Sequence, residues 1–250
     1  MRYVKLLRDG KGVWGVLQGD LVRTLTRPPF EGICYDGESL PLEACRLLAP
    51  CEATKIVCVG KNYYDHAVEM GEGVPEQPIL FLKAPNTLNH PEGTVHAPAF
   101  VGRLDYEGEL AFVIRRRAKD VKAENFADYI LGYTCLNDVT ARDVQKGDGQ
   151  WTRGKSMDGF APLGPVVTDE VDPDALAIET RLNGVVVQQG NTSQFMTAVP
   201  QLLEFITASM TLEPGDVVTT GTPAGIGPMV PGDTVEVTVQ GIGTLRSRIV

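Results

Sequence analysis

The sequence predicts a mainly β chain with few short helices, of the α+β class, and three observations carry that expectation. Short apolar, β-branched runs recur along the chain, and turn pairs such as Asp9-Gly10, Gly19-Asp20 and Asn183-Gly184 close them. Helical patterning is brief except from Ala198 to Ala208, where Val199, Leu202, Leu203 and Ile206 share a face. The stretch Asp105 to Ile114, DYEGELAFVI, reads as one half-buried strand. Asp105, Glu107 and Glu109 take one side of it, and Tyr106, Leu110, Phe112 and Ile114 the other.

Bulk properties narrow the function classes. The 250 residues suffice to bury a sizeable core. No run of 18 apolar residues occurs, and the start, MRYVKLLRDGKG, lacks a signal peptide's apolar centre, so a cytoplasmic chain without a membrane partner is expected. The net charge of -9 argues against nucleic acid and anionic lipid, which demand concentrated Lys and Arg. Arg115, Arg116 and Arg117 read as solvated ion-pair formers. Five cysteines without a Cys-x-x-Cys spacing, beside three histidines, support neither a disulfide framework nor a zinc site. Any metal would be bound by oxygen.

In chain order, Tyr3–Leu7, Val13–Gln18 and Leu21–Leu25 form a β-meander within a small N-terminal domain, residues 1–52, whose expected role is packing. Proline-rich breaks separate it from a main domain at residues 53–250. Lys55–Val59 is a strand. Asn62–Met70 then makes one or two helical turns that put His66 and Glu69 on one face, where a carboxylate can orient an imidazole or simply pair with it at the surface. Gly71–Pro78 is a mobile cover or a long connector. Pro78–Lys83 is a strand, and the loop Asn86–Ala99 holds His90 and His96, both read as structural.

Glu107 and Glu109 lie side by side on the acidic strand. Such a pair shares a proton, meets Lys or Arg, holds a hard cation, or is a solvated edge. Glu124–Tyr129 is a brief helix. The strand Ile130–Leu136 ends at Asn137-Asp138, with Asp138 placed to cap a helix over Val139–Gln145. After a Gly-rich stretch holding Trp151 and Lys155 come a strand at Pro165–Thr168, the Asn183-Gly184 hairpin, the long helix, and a strand at Asp216–Thr220. The turn Gly221–Pro228 lacks the Lys and helix of a phosphate loop, and a final hairpin closes the sheet.

Five segments together carry a resemblance. They are Gly60-Lys61-Asn62-Tyr63 with His66-x-x-Glu69; Tyr106-Glu107-x-Glu109-Leu110; Asn137-Asp138-x-Thr140-Ala141-Arg142-Asp143; Trp151 with Lys155-Ser156; and Thr220-Gly221-Thr222-Pro223. In this order, over about Lys55 to Val250, the chain resembles the fumarylacetoacetate hydrolase family. The resemblance implies a mixed β-sandwich or roll, a homodimer, and one Mg2+, with Mn2+ or Ca2+ as substitutes, held by Glu107, Glu109 and Asp138. It implies that His66 and Glu69 activate water or move a proton and that Lys155 stabilises negative charge. Arg142, Gln145 and Thr222 fall near the carboxylate of a 2-oxo acid substrate. The implied chemistry passes through a metal-bound enolate, with hydrolytic carbon–carbon cleavage of an acylpyruvate or fumarylacetoacetate type expected first. The alternatives are isomerisation of 2-hydroxyhepta-2,4-diene-1,7-dioate or decarboxylation of oxaloacetate. A noncatalytic metal-binding scaffold and structural calcium binding are the readings from other classes.

Overall fold

The computed structural model describes residues 1–69, 71 and 75–250, and among these the chain is mostly strand with short helices. Met70 and part of the Gly71–Pro78 connector therefore lie outside the described residues. The largest sheet runs in the order Tyr35–Pro41, Leu21–Leu25, Lys11–Gln18, Arg2–Arg8, Ala161–Thr168, Ile130–Asn137, Gly108–Ile114, Val217–Thr219, Ile56–Gly60, Ile79–Lys83. Its first four strands are the three strands of the predicted N-terminal meander and, at the edge, Tyr35–Pro41, which was not expected. That meander continues the main sheet through the pairs Arg2↔Thr168 and Tyr3↔Val167. A five-stranded sheet, built on the Asn183-Gly184 hairpin and the C-terminal hairpin, packs its Val235, Val237 and Leu245 against Leu110 and Phe112 of the large one.

The acidic stretch departs from expectation in two ways. It is not one strand. Leu104–Tyr106 belongs to a separate three-stranded sheet with Thr140–Ala141 and Gly227–Met229, whereas Gly108–Ile114 belongs to the large sheet, so the chain changes sheets at Glu107. Gly108 permits the crossing, because a Cβ there would lie 2.1 Å from Thr180 Oγ1. Nor is the stretch half-buried. Leu110, Phe112 and Ile114 fill one core cluster while Ala111 and Val113 fill another on the opposite face. A strand covered on both faces hides its carboxylates as well, and Glu107 and Glu109 are buried.

Elsewhere the predicted helix at Val139–Gln145 begins only at Arg142, because Thr140–Ala141 pair with Leu104–Asp105. Asp138 caps nothing there, since its carboxylate is bonded to two lysines. The strand expected from Pro165 starts at Ala161. The loop Asn86–Ala99 contains two short strands, Leu88–Asn89 and Gly93–Val95, and His90 Nδ1 accepts the Ala49 N–H in a structural bond. The long helix, Val199–Ser209, buries Val199, Leu202, Leu203 and Ile206 as its period requires. Arg115, Arg116 and Arg117 each face an acid, respectively Asp169, Asp128 and Glu213. Among the described residues no helix is long and apolar enough to cross a membrane.

Candidate active site

Strand register assembles the acidic cluster. Gly108 pairs with Asn137, which sets Glu107 and Glu109 on either side of that rung and Asp138 just past its end. The Asp138 N–H donates to the Glu107 carbonyl at 2.8 Å, and the Glu107 N–H donates to the Asn137 side-chain Oδ1 at 3.0 Å, so one backbone and one side-chain bond hold the two chain segments together. One carboxylate oxygen from each of Glu107, Glu109 and Asp138 lies within 4.8 Å of the others, and all three residues are buried.

Cations are spread unevenly over this cluster. Lys155 Nζ bridges Glu107 Oε2 at 2.8 Å and Asp138 Oδ2 at 2.6 Å, while Lys83 Nζ bonds Asp138 Oδ1 at 2.6 Å. Arg142 donates to Asp105 Oδ2 at 2.8 Å, to Gln145 Oε1 at 2.6 Å and to Glu107 Oε1. The four buried carboxylates, Asp105 included, thus meet three buried cations and the half-exposed Arg103, which holds Asp105. Glu109 accepts the Gly221 N–H at 2.9 Å and has no Lys or Arg at ion-pair distance among the described residues. The unevenness shows in proton affinity. Burial alone would raise Glu107, yet Lys155 and Arg142 bring it down to about 2. Burial, then the charges of Asp138 and Glu107, push Glu109 well above the usual carboxylate range. Burial works against the charge of Lys155, but Asp138 and Glu107 outweigh it and its pKa is raised.

This donor set fits a divalent cation. It is all carboxylate oxygen, and its Glu109 has no Lys or Arg at ion-pair distance among the described residues, which suits Mg2+, Mn2+ or Ca2+ better than a thiol- or imidazole-seeking metal.

The dyad approaches from another element. The helix Tyr64–Glu69 places His66 Nδ1 3.0 Å from Glu69 Oε2, and Glu69 Oε1 accepts the Gly225 N–H at 3.0 Å. Gly225 has φ +99° and packs so closely that a Cβ would lie 2.3 Å from the Val187 carbonyl oxygen. The clasp therefore needs glycine at that point.

Eight of the nine side chains expected in the site line one cavity of about 230 Å3, and the ninth, Glu69, stands behind His66. Arg142 and Gln145 are bonded to each other in its wall, and Thr222 Oγ1 donates to the Gly108 carbonyl at 2.9 Å. Phe81 and Trp151, in edge contact at 5.1 Å, supply an apolar wall, and Lys155 Nζ lies 5.1 Å from the Phe81 centroid. Sequence reasoning passed over Lys83, Phe81 and Gln188. Gln188 accepts the Gly108 N–H at 3.0 Å and donates to Thr222 Oγ1 at 2.8 Å, so it joins the acidic strand to the Thr220–Pro223 turn.

Residues 55–250 match the family model described as fumarylacetoacetate (FAA) hydrolase C-terminal, and residues 1–50 match one described as Rv2993c-like, N-terminal. The chain is 40% identical over 213 residues to oxaloacetate tautomerase YisK of Bacillus subtilis, covering 80% of this chain and 71% of that protein. It is similar to the solved structure of a 2-hydroxyhepta-2,4-diene-1,7-dioate isomerase from Mycobacterium marinum, with TM-score 0.93 and 43% identity over 100% of this chain and 98% of the other. A fumarylacetoacetate hydrolase structure from Exiguobacterium antarcticum gives TM-score 0.89 and 37% identity over 100% and 99% of the two chains.

Proposed function

The chain belongs to the fumarylacetoacetate hydrolase family, and on that premise we propose that it shifts a proton on the carbon beside the carbonyl of a 2-oxo acid, as a divalent-metal-dependent tautomerase or isomerase. The observation that carries this reading is the His66–Glu69 dyad, with His66 opening on the cavity that holds the acidic cluster. Glu107, Glu109 and Asp138 would hold Mg2+, or Mn2+ or Ca2+ in its place, and the bound cation supplies positive charge that favours the enolate form of the substrate.

The protein's own groups do the rest. With Nδ1–H directed at Glu69, the His66 Nε2 lone pair is the acceptor left for a substrate proton, and the Glu69 carboxylate stabilises the imidazolium that results. Returning that proton at a different atom completes a tautomerisation or moves a double bond. The Lys155 ammonium, kept charged by its carboxylate neighbours, can face an anionic substrate oxygen, while Phe81 and Trp151 keep water from that side. A YisK-type oxaloacetate tautomerase and a heptadienedioate isomerase are both named for proton shifts of this kind, which supports the assignment.

A second reading, hydrolytic cleavage of an acylpyruvate or fumarylacetoacetate, draws support from the same dyad, which can equally deprotonate water, and from the likeness to a hydrolase structure. The deciding experiment follows exchange of the C3 protons of oxaloacetate with D2O by NMR, and in parallel pyruvate release from acetylpyruvate, with Mg2+ and with EDTA. Metal-dependent exchange that falls about 10²- to 10⁴-fold in His66→Asn is expected. Pyruvate release without accelerated exchange would replace the first reading by the second.

A further inference from the structure

Lys83 takes no part in the chemistry derived so far. It ends the strand Ile79–Lys83, is completely buried, and lies behind the acidic cluster instead of in the cavity wall. Its ammonium donates to Asp138 Oδ1 at 2.6 Å and to the Val139 carbonyl at 3.1 Å, so its position is fixed from two sides. Burying a lysine is costly unless it is paired, and here the pairing occupies one particular carboxylate oxygen.

The other two acids of the cluster repeat the pattern. Arg142 occupies Glu107 Oε1, and the Gly221 N–H occupies Glu109 Oε2. Each carboxylate thus has one oxygen committed to a donor other than Lys155, and of the remaining oxygens Glu107 Oε2 and Asp138 Oδ2 are bridged by Lys155 of the cavity wall, so a cation would reach them, with Glu109 Oε1, by displacing that one lysine. Calcium takes six to eight oxygens and readily accepts carboxylates through both, whereas magnesium and manganese take six, singly. We infer that Lys83 is a positioning residue that confines Asp138 to one available oxygen and so biases the site toward a small six-coordinate divalent cation over calcium.

The inference rests on the reading that Glu107, Glu109 and Asp138 hold a divalent cation, and binding rather than turnover tests it. Isothermal titration of the wild-type chain and of Lys83→Met with Mn2+ and with Ca2+ gives two affinity ratios. The wild type should prefer Mn2+, and the Ca2+-to-Mn2+ affinity ratio should rise about tenfold or more in Lys83→Met. A purely structural lysine would weaken both ions alike and leave the ratio unchanged, which would overturn the inference. Should Lys83→Met fail to fold by circular dichroism, a crystal structure of the unaltered chain with Ca2+ decides. Asp138 bound through one oxygen with Lys83 still on Oδ1 supports the inference, and a bidentate Asp138 with Lys83 displaced overturns it. Wild-type protein that binds neither ion would remove the metal reading itself, whereas wild-type protein that binds both equally well would remove only the role of Lys83.

Discussion

Arg142 reaches three protein groups at once, and of these Asp105 is the charged partner outside the proposed cation ligands. Asp105 is itself fully buried and is held by Arg103 Nε at 2.7 Å. Replacing Asp105 by Asn keeps the shape but removes the charge that fixes the Arg142 guanidinium, so Glu107 loses its registration. Asp105→Asn should lower kcat/KM by about 10- to 100-fold with the far-ultraviolet circular dichroism unchanged. At this scale much of the site was readable. Spacing paired Glu107 with Glu109 and His66 with Glu69 on shared faces, whereas their place in one site, and that of Asp138, came from the family resemblance. Lys83 and Gln188 were not readable, because Lys83 meets Asp138 across 55 residues and Gln188 meets Gly108 across 80, and neither carries a local sign of its partner. A lone lysine closing an apolar strand looks like a side chain reaching for solvent.

Among the elements, the parallel pair Ile56–Gly60 and Val217–Thr219 supports both the dyad and the Thr220–Pro223 turn, and Asp216 ties that pair together. Its carboxylate accepts from the Thr54 N–H and hydroxyl, the Lys55 N–H and ammonium, and the Glu213 N–H. Burial would raise its pKa, but those donors outweigh burial and lower it. A carboxyl lowered by folding stabilises the native state above its unfolded pKa, about 3.9, and that contribution fades as pH falls through the folded value. Asp216→Ala should therefore cost about 2–4 kcal/mol in urea unfolding at pH 7. The gap between variant and wild type should narrow below about pH 4. Element types were legible wherever turn chemistry was explicit, as at Asn183-Gly184. The break at Glu107 was hidden, because DYEGEL alternates straight through it, and only the crowding of Gly108 against Thr180 shows where the chain leaves one sheet for another; the unbroken apolar run Leu110–Ile114, by contrast, is the signature of a strand covered on both faces.

For the whole molecule, the proline-rich break near residues 49–54 is visible in sequence, but the pairing of Arg2 with Thr168 is not, since nothing local links positions so far apart. That pairing makes the N-terminal meander part of the main sheet. Removing residues 1–50 would uncover the edge of Ala161–Thr168 and open the core cluster that Tyr3, Trp14 and Val16 share with Leu163 and Val167. The shortened chain is expected to be insoluble, and the full chain to unfold in one transition by tryptophan fluorescence and circular dichroism alike. Two separate transitions would show the meander to be independent. The same pairing has a consequence for the order of events on the ribosome. The first strand must wait for Ala161–Thr168 to be made before it can dock, a delay on the order of ten seconds at ordinary elongation rates. Through that interval only neighbouring N-terminal strands cover it, so the nascent chain is at its most vulnerable to proteases and chaperone capture until Ala161–Thr168 emerges.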